Sequence, residues 1–287
     1  MSVLLTGATG HIGSAVLRSL VAHGRNVVAL VRNDTKAERV SADGATPVVG
    51  DLADLELLAH LLQASEGVIH TASPGDELSA QVDSDVVDVV MRTLAGTQKP
   101  YLHTGGVWTF GAGSDIVETD RYQPLPITEW RVDIESRLRR STVRSSIIAP
   151  TVVYGHGQGI PNVLGGNDEM RLVGAGTQHW ATVHVDDLAE LYVLALEYAG
   201  ADEYFLGASG ANPTVRELGE AAAHGRPVVV ESVEQSRDRL GAAFADALLL
   251  DQQASGRHAR ETLGWIPTRP TLTDQLLSGY ATADVHQ

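Results

Sequence analysis

The feature that most constrains this chain is at its start. Leu4-Leu5-Thr6-Gly7-Ala8-Thr9-Gly10-His11-Ile12-Gly13 is an apolar strand that runs into three spaced glycines and then into a helix. Gly7 permits a turn that a side chain would obstruct. Gly10 lets backbone N–H groups approach a pyrophosphate, and Gly13 lets the helix pack closely on the strand. The helix N-terminus adds unpaired donors and a favourable dipole for phosphate. Val3-Leu4-Leu5 before the loop, an apolar helix pattern after it (Ile12, Val16, Leu20) and a second strand next give the glycines the context of a dinucleotide-binding loop.

Strands and helices then alternate, which predicts an α/β fold: a doubly wound parallel sheet of the Rossmann type. The first helix runs to about Ala22, with Gly24 as its C-terminal stop, and Asn26–Val31 is the second strand. The position just past that strand meets the adenosine ribose. An acidic residue there suits NAD, and an arginine suits the 2′-phosphate of NADP. Arg32 occupies it, with Asp34 as a competing candidate two residues on, and the expectation is NADP(H). Asp51, after the strand Thr46–Val49, reads equally as an adenine contact or a turn residue. Asp54 caps a helix over Leu55–Ala64. The strand Gly67–Ala72 ends in Ala72-Ser73, small residues that leave room for a ligand, and His70 inside it reads as a satisfied core histidine. A helix over Asp83–Ala95 and the strand Pro100–Thr104 lead to Gly105-Gly106, with Trp108 and Phe110 on a loop. A helix over Thr128–Ser141 carries Arg131 and Glu135 as an i, i+4 pair on a charged outer face.

After the strand Ser145–Ala149, the tract Pro150–Gly159 marks a change in composition. Residues 1–154 are expected to form the dinucleotide domain, with segments near 181–206 returning to it, and residues 155–287 mainly a smaller substrate lobe. In that lobe Asp186 or Asp187 reads as the N-cap of a helix, and Thr214 and Glu217 as a capping box. A strand is expected at Pro227–Val230, a helix at Arg239–Leu250 and a terminal helix from Thr273.

Composition excludes several functions. The chain has 287 residues and is 43% hydrophobic, enough for a full core. With 21 Lys and Arg against 36 Asp and Glu, its net charge of −15 argues against nucleic acid or anionic membrane as a partner. It has no cysteine, so disulfides and thiolate chemistry are excluded. Its 11 histidines are scattered without metal-ligand spacing, so no metal site is expected. With no leader-like or membrane-spanning run, a cytoplasmic location is expected. The oligomeric state is not legible.

Together, Thr6-Gly7-x-x-Gly10-x-x-Gly13, Gly50-Asp51-Leu52, Val152-Val153-Tyr154-Gly155, Val183-His184-Val185-Asp186-Asp187 and Leu263-Gly264-Trp265 resemble the extended short-chain dehydrogenase/reductase group over nearly the full chain. The resemblance implies a cofactor set of Gly7, Thr9, Gly10, His11, Ile12, Gly13, Arg32, Asp51, Leu52, Thr71, Ala72, Ser73, Thr104, Pro150 and Val153. It also implies a catalytic Ser, Tyr and Lys. Aligned on Phe110-Gly111, Glu135 and Pro150, those three positions fall on Gly106, Ile127 and Arg131, and no Tyr-x-x-x-Lys occurs anywhere. That loss resembles the atypical subgroup, and within it the aromatic polyketide ketoreductases of antibiotic biosynthesis. The implied function is reduction of an aromatic polyketide-type ketone without a tyrosine acid. Thr104, Gly105, Gly106, water or a hydroxyl of the substrate would support the alkoxide. Trp108, Tyr154, His156 and Trp180 are the candidate substrate residues, and Tyr101, Tyr122, Tyr154, His156 and His179 are candidate substitute acids. A non-catalytic NADP sensor, and more weakly an epimerase or dehydratase, are the competing readings. A roomy aromatic pocket beside the cofactor would favour the reductase.

Overall fold

A computed structural model describes residues 2–166 and 168–279. Its centre is a seven-stranded parallel sheet. The strands are β1 (Ser2–Thr6), β2 (Asn26–Val31), β3 (Thr46–Val49), β4 (Gly67–His70), β5 (Tyr101–Thr104), β6 (Ser145–Pro150) and β7 (Glu203–Gly207). Their order is β7-β6-β5-β4-β1-β2-β3. The chain runs outward from β1 through β2 and β3, then returns to the other side of β1 at β4. That reversal opens a crevice at the carboxyl ends of β1 and β4, where this architecture binds ligands. Val3, Leu4 and Leu5 are fully buried, as expected of a central strand covered on both faces.

Helices cover the two faces. On one lie α1 (His11–Ala22), α2 (Asp34–Ala42) and, from later in the chain, α6 (Val185–Tyr198). On the other lie α3 (Leu55–Ala64), α4 (Ser79–Leu94) and α5 (Pro126–Arg139). Local chemistry sets several ends. Asp54 accepts the Leu57 N–H at 3.0 Å and caps α3, a contact worth about 1 kcal/mol. Gly24 has φ +70°, as a C-terminal stop requires.

The lobe has its own core of Tyr154, Leu164, Met170, Leu172, Trp180, Leu218, Leu248 and Leu272. Its helices are α7 (Val215–Ala223), α8 (Val233–Leu240), α9 (Ala242–Leu248) and α11 (Leu272–Leu277), whereas α10 (Arg257–Leu263) buries Ala259 and Leu263 in the core beside α6. Thr214 and Glu217 form the expected capping box of α7. The strand Thr182–His184 pairs with Val152–Gly155, and β7 pairs with β6.

Some expectations are corrected. The N-cap of α6 is His184, whose ring accepts the Asp186 N–H, not Asp186 or Asp187. Asp187 instead accepts the Thr268 and Arg269 N–H groups and ties the lobe's last segment to α6. The helix expected at Arg239–Leu250 is two, because Gly241 at φ +82° divides it. Helix α4 starts at Ser79, one turn before Asp83, and Trp108 and Phe110 lie in a 3-10 turn. The terminal helix begins at Leu272, and residues 280–287 lie outside the described residues.

Candidate active site

Two contiguous cavities lie at the carboxyl ends of the strands. The first, of ≈ 360 Å³, is lined by Thr6, Gly7, Ala8, Thr9, Gly10, Arg32, Lys36, Arg39, Asp51, Leu52, Thr71, Ala72 and Ser73, among others. The glycines do what their spacing predicts. A Cβ on Gly7 would stand 2.6 Å from the Ala72 nitrogen, and one on Gly13 would stand 2.1 Å from the Gly7 carbonyl oxygen. Helix α1 opens on Gly10 with no side-chain cap, so the unpaired donors of its first turn are left for a ligand. These features fit a dinucleotide pyrophosphate.

Three cations line this cavity. Arg32 follows β2, and Lys36 and Arg39 come from α2. Sequence reasoning found only Arg32. Lys36 is four residues on and Arg39 a further three, which is one helix face. That spacing was the available signal. Asp34, the competing candidate, opens α2 and does not line the cavity; the cap of that helix is Asn33. Asp51 lines it and also accepts the Ala53 N–H at 2.9 Å, so it is a turn residue at the cavity wall. His11 lies outside it, 3.2 Å from the Gly155 carbonyl oxygen, where burial lowers its pKa.

The second cavity, of ≈ 470 Å³, shares Thr71 and Ser73 with the first. Gly106, Ile127 and Arg131 all line it, so the three replaced positions converge on one space. Ile12, Thr104, Gly105, Trp108, Pro150 and Val153 line it as well. Sequence reasoning missed Trp130, Phe244 and Ile160 there, and Asp76 and Ser79. Phe244 comes from α9 and meets the Trp108 ring edge-on at 5.9 Å, which closes the cavity under the lobe.

The remaining substrate candidates lie elsewhere. Tyr154 and Trp180 are 1% and 2% exposed, in the lobe core, and donate to the carbonyls of Pro270 and Leu248. His156 is near the surface, 2.9 Å from an Asp186 carboxylate oxygen. Of the substitute acids, none lines the cavity. Tyr101 is buried against His103, Tyr122 donates to Glu135, and His179 faces Asp251.

Beneath the cavity floor lies a buried polar network. His70 Nε2 donates to Asp83 Oδ1 at 2.9 Å, so its Nδ1 accepts from the Thr6 hydroxyl at 2.7 Å. His70 is thus satisfied at both ring nitrogens. Asp83 Oδ2 faces His103 at 3.5 Å and Arg131 at 3.9 Å. Burial pushes the Asp83 carboxyl up, but His103 and His70 outweigh it and hold it well below the usual range. Burial lowers the pKa of His103. The Thr104 hydroxyl donates to the His70 carbonyl at 2.7 Å, so the Tyr192 hydroxyl, 2.6 Å away, donates to it. The Gly105 N–H is taken by the Ile148 carbonyl at 2.8 Å. The supporting roles expected of Thr104 and Gly105 therefore lack a free proton. No acceptor among the described residues meets the Gly106 N–H.

Arg131 and Glu135 are not a surface pair. Glu135 is fully buried, accepts from Tyr204 at 3.2 Å and from Tyr122 at 3.4 Å, and burial raises its pKa to about 7. Arg131 turns to the cavity and donates to the Thr104 carbonyl at 3.0 Å.

Known proteins match this architecture. The NAD(P)H-binding family pattern matches residues 7–197. An uncharacterised protein of Schizosaccharomyces pombe is 31% identical over 97% of this chain and 99% of its own length. A 4-hydroxy-2-methyl-3-oxo-4-farnesyl-3,4-dihydroquinoline-1-oxide ketoreductase of Stigmatella aurantiaca is 24% identical over 72% of this chain and 68% of its own. Among solved structures, a UDP-glucuronic acid 4-epimerase of Bacillus cereus, bound to UDP-glucuronic acid and NAD, has the same fold at TM-score 0.78 and 18% identity, covering 98% of both chains. The chain takes a nicotinamide dinucleotide as its cofactor. No helix among the described residues is long and apolar enough to cross a membrane. With the fingerprint glycines kept and no Tyr-x-x-x-Lys, the chain belongs to the NAD(P)H-binding family and is an atypical short-chain dehydrogenase/reductase.

Proposed function

We propose that the protein is an NADPH-dependent ketoreductase for a flat, aromatic polyketide-type ketone. The observation that carries this is the second cavity. It is contiguous with the cofactor cleft, its walls include Trp108, Trp130 and Phe244, and among the described residues no Tyr, Lys, His or Glu lines it. Aromatic walls suit a planar ligand by stacking. The Stigmatella relative, named for reduction of a bicyclic ring ketone, supports the same reading. The size and apolar lining favour a reductase over the sensor. An epimerase or dehydratase needs a paired acid and base, and the one acid–base side chain in this lining, Asp76, is exposed at the mouth.

NADPH is favoured over NADH by the Arg32, Lys36 and Arg39 cluster, since a 2′-phosphate rewards convergent cations. The residues from Gly7 to Gly13 would hold the pyrophosphate, and Pro150 and Val153 the inner wall by the nicotinamide. The nicotinamide supplies the hydride when bound. The protein orients the ketone between aromatic walls and excludes water, and Gly106, whose N–H meets no acceptor among the described residues, lines the cavity. The proton comes from water or from a hydroxyl beside the ketone on the substrate itself. A screen of aromatic ketones, read by loss of nicotinamide absorbance with NADPH and with NADH, tests this. Consumption of NADPH with phenol-bearing aryl ketones is expected, and none with any ketone contradicts it.

A further inference from the structure

The second cavity has a feature that ketone reduction by a neutral pocket does not require: a pinned cation in an apolar wall. Among the described residues, Arg131 is the only cationic one that lines it. The other charged lining residue, Asp76, is exposed and accepts the Leu78 N–H, and so belongs to the mouth. Three contacts fix the guanidinium from behind. It donates one N–H to the Thr104 carbonyl at 3.0 Å, stands 3.9 Å from Asp83 Oδ2, and lies over the Trp130 ring at 4.3 Å. The Thr104 bond is its one hydrogen bond among the described residues, which leaves most of its five donors uncommitted. Asp83 Oδ2, at 3.9 Å, is beyond hydrogen-bond reach of it, and the carboxylate's other oxygen is engaged by His70. Glu135, one turn along α5, makes no ion pair with it within 4 Å; its fully buried carboxyl accepts from Tyr204 and Tyr122 instead.

From this placement we infer that Arg131 makes the cavity an oxyanion site, selecting flat aromatic ligands that carry a negative oxygen and stabilising the alkoxide that forms on a ketone held there. The inference rests on the reductase reading for the second half of that statement and on the cavity alone for the first. In the reduction, the carbonyl carbon gains hydride from a reduced nicotinamide dinucleotide, and the carbon–oxygen π pair moves onto oxygen. Arg131 stabilises that charge, and water or a neighbouring substrate hydroxyl then gives the proton. A guanidinium offers charge and hydrogen-bond donors and gives up no proton. It acts as an electrophile and supplies no proton, which distinguishes it from the tyrosine that it does without.

The test is binding, read by quenching of the cavity tryptophans. Naphthoate and its neutral isostere naphthamide are titrated into the full-length protein, with and without NADP+, for wild type, Arg131→Lys and Arg131→Gln. Wild type is expected to prefer naphthoate by about tenfold, the scale of one charge-assisted contact in a desolvated site. Arg131→Gln is expected to abolish the preference, with a cooperative thermal unfolding transition showing that the variant is folded. Arg131→Lys is expected to retain part of it. Equal affinity of wild type for the two ligands overturns the inference and leaves the aromatic-ketone reading standing. So does a preference that survives in Arg131→Gln. A residue that served only the cofactor ribose would instead weaken NADPH binding and leave the ratio unchanged, which also overturns it. Binding of neither ligand contradicts both readings. Preference for naphthoate without reduction of any ketone retains the oxyanion site and removes the reductase.

Discussion

Glu135 stands one helical turn after Arg131 on α5, and the two do not pair: the carboxyl is fully buried among tyrosines, and the guanidinium reaches the Thr104 carbonyl at 3.0 Å. The sequence spacing suggests a solvent-facing ion pair, but the helix turns that face toward the sheet. One charge is thereby offered to the cavity, and the other is held as an acid whose pKa burial raises to about 7.

Stability depends on pH through that burial. Because the folded pKa is above the ordinary 4.5, the folded state binds the extra proton, and stability falls as pH rises between 4.5 and about 7. The full penalty, about 3 kcal/mol on this shift, is present only above the folded pKa. Glu135→Gln keeps an acceptor for Tyr204 and Tyr122 and removes the charge. Denaturant unfolding across this range is expected to show a declining wild type and a variant without that decline, more stable than wild type at the alkaline end.

Two adjacent glycines give opposite expectations. A Cβ on Gly105 would stand 2.7 Å from Glu135 Oε1 and 3.0 Å from Ile147 Cγ2, whereas one on Gly106 meets nothing within 4 Å. Gly105→Ala is expected to cost about 1–3 kcal/mol by overpacking. Gly106→Ala, on extended backbone, is expected to change stability by under about 0.5 kcal/mol. Thermal unfolding of the pair measures the contrast; equal losses would contradict the placement of Glu135.

Cofactor choice rests on Arg32, Lys36 and Arg39. Removing all three is expected to weaken NADPH binding by tenfold or more, on the order of the 1.5–3 kcal/mol of a charged hydrogen bond, and to leave NADH within about twofold. The effect on NADPH is expected to shrink as salt is raised. Equal losses for both cofactors would remove the phosphate assignment.

The fold was legible because its signals are local. Gly7, Gly10 and Gly13, the boundaries of β2, the Asp54 cap and the Thr214 capping box each follow from a few neighbouring residues. The site was legible only where it lies on those signals. Lys36 and Arg39 lie past the end of β2 on α2, and only the packing of that helix brings them to the same cavity as Arg32. Trp130 and Phe244 are far apart in the chain and meet in the cavity wall only through the packing of the lobe on the sheet. Of the aromatic substrate candidates, Trp108 lines the cavity, while Trp180 and Tyr154 belong to the lobe core. His184 caps α6 because its ring reaches back to the Asp186 N–H, a role its two acidic neighbours suggest more readily.

The central claim is that ketone reduction takes place in a cavity with no tyrosine acid. The most direct measurement uses NADPH carrying deuterium at the transferable position, incubated with the protein and a phenol-bearing aryl ketone, with the alcohol analysed by mass spectrometry. Deuterium on the carbinol carbon in the wild type, strongly reduced in Arg131→Gln, is the predicted result. An unlabelled product, or no alcohol from any ketone while NADPH binds, would contradict it.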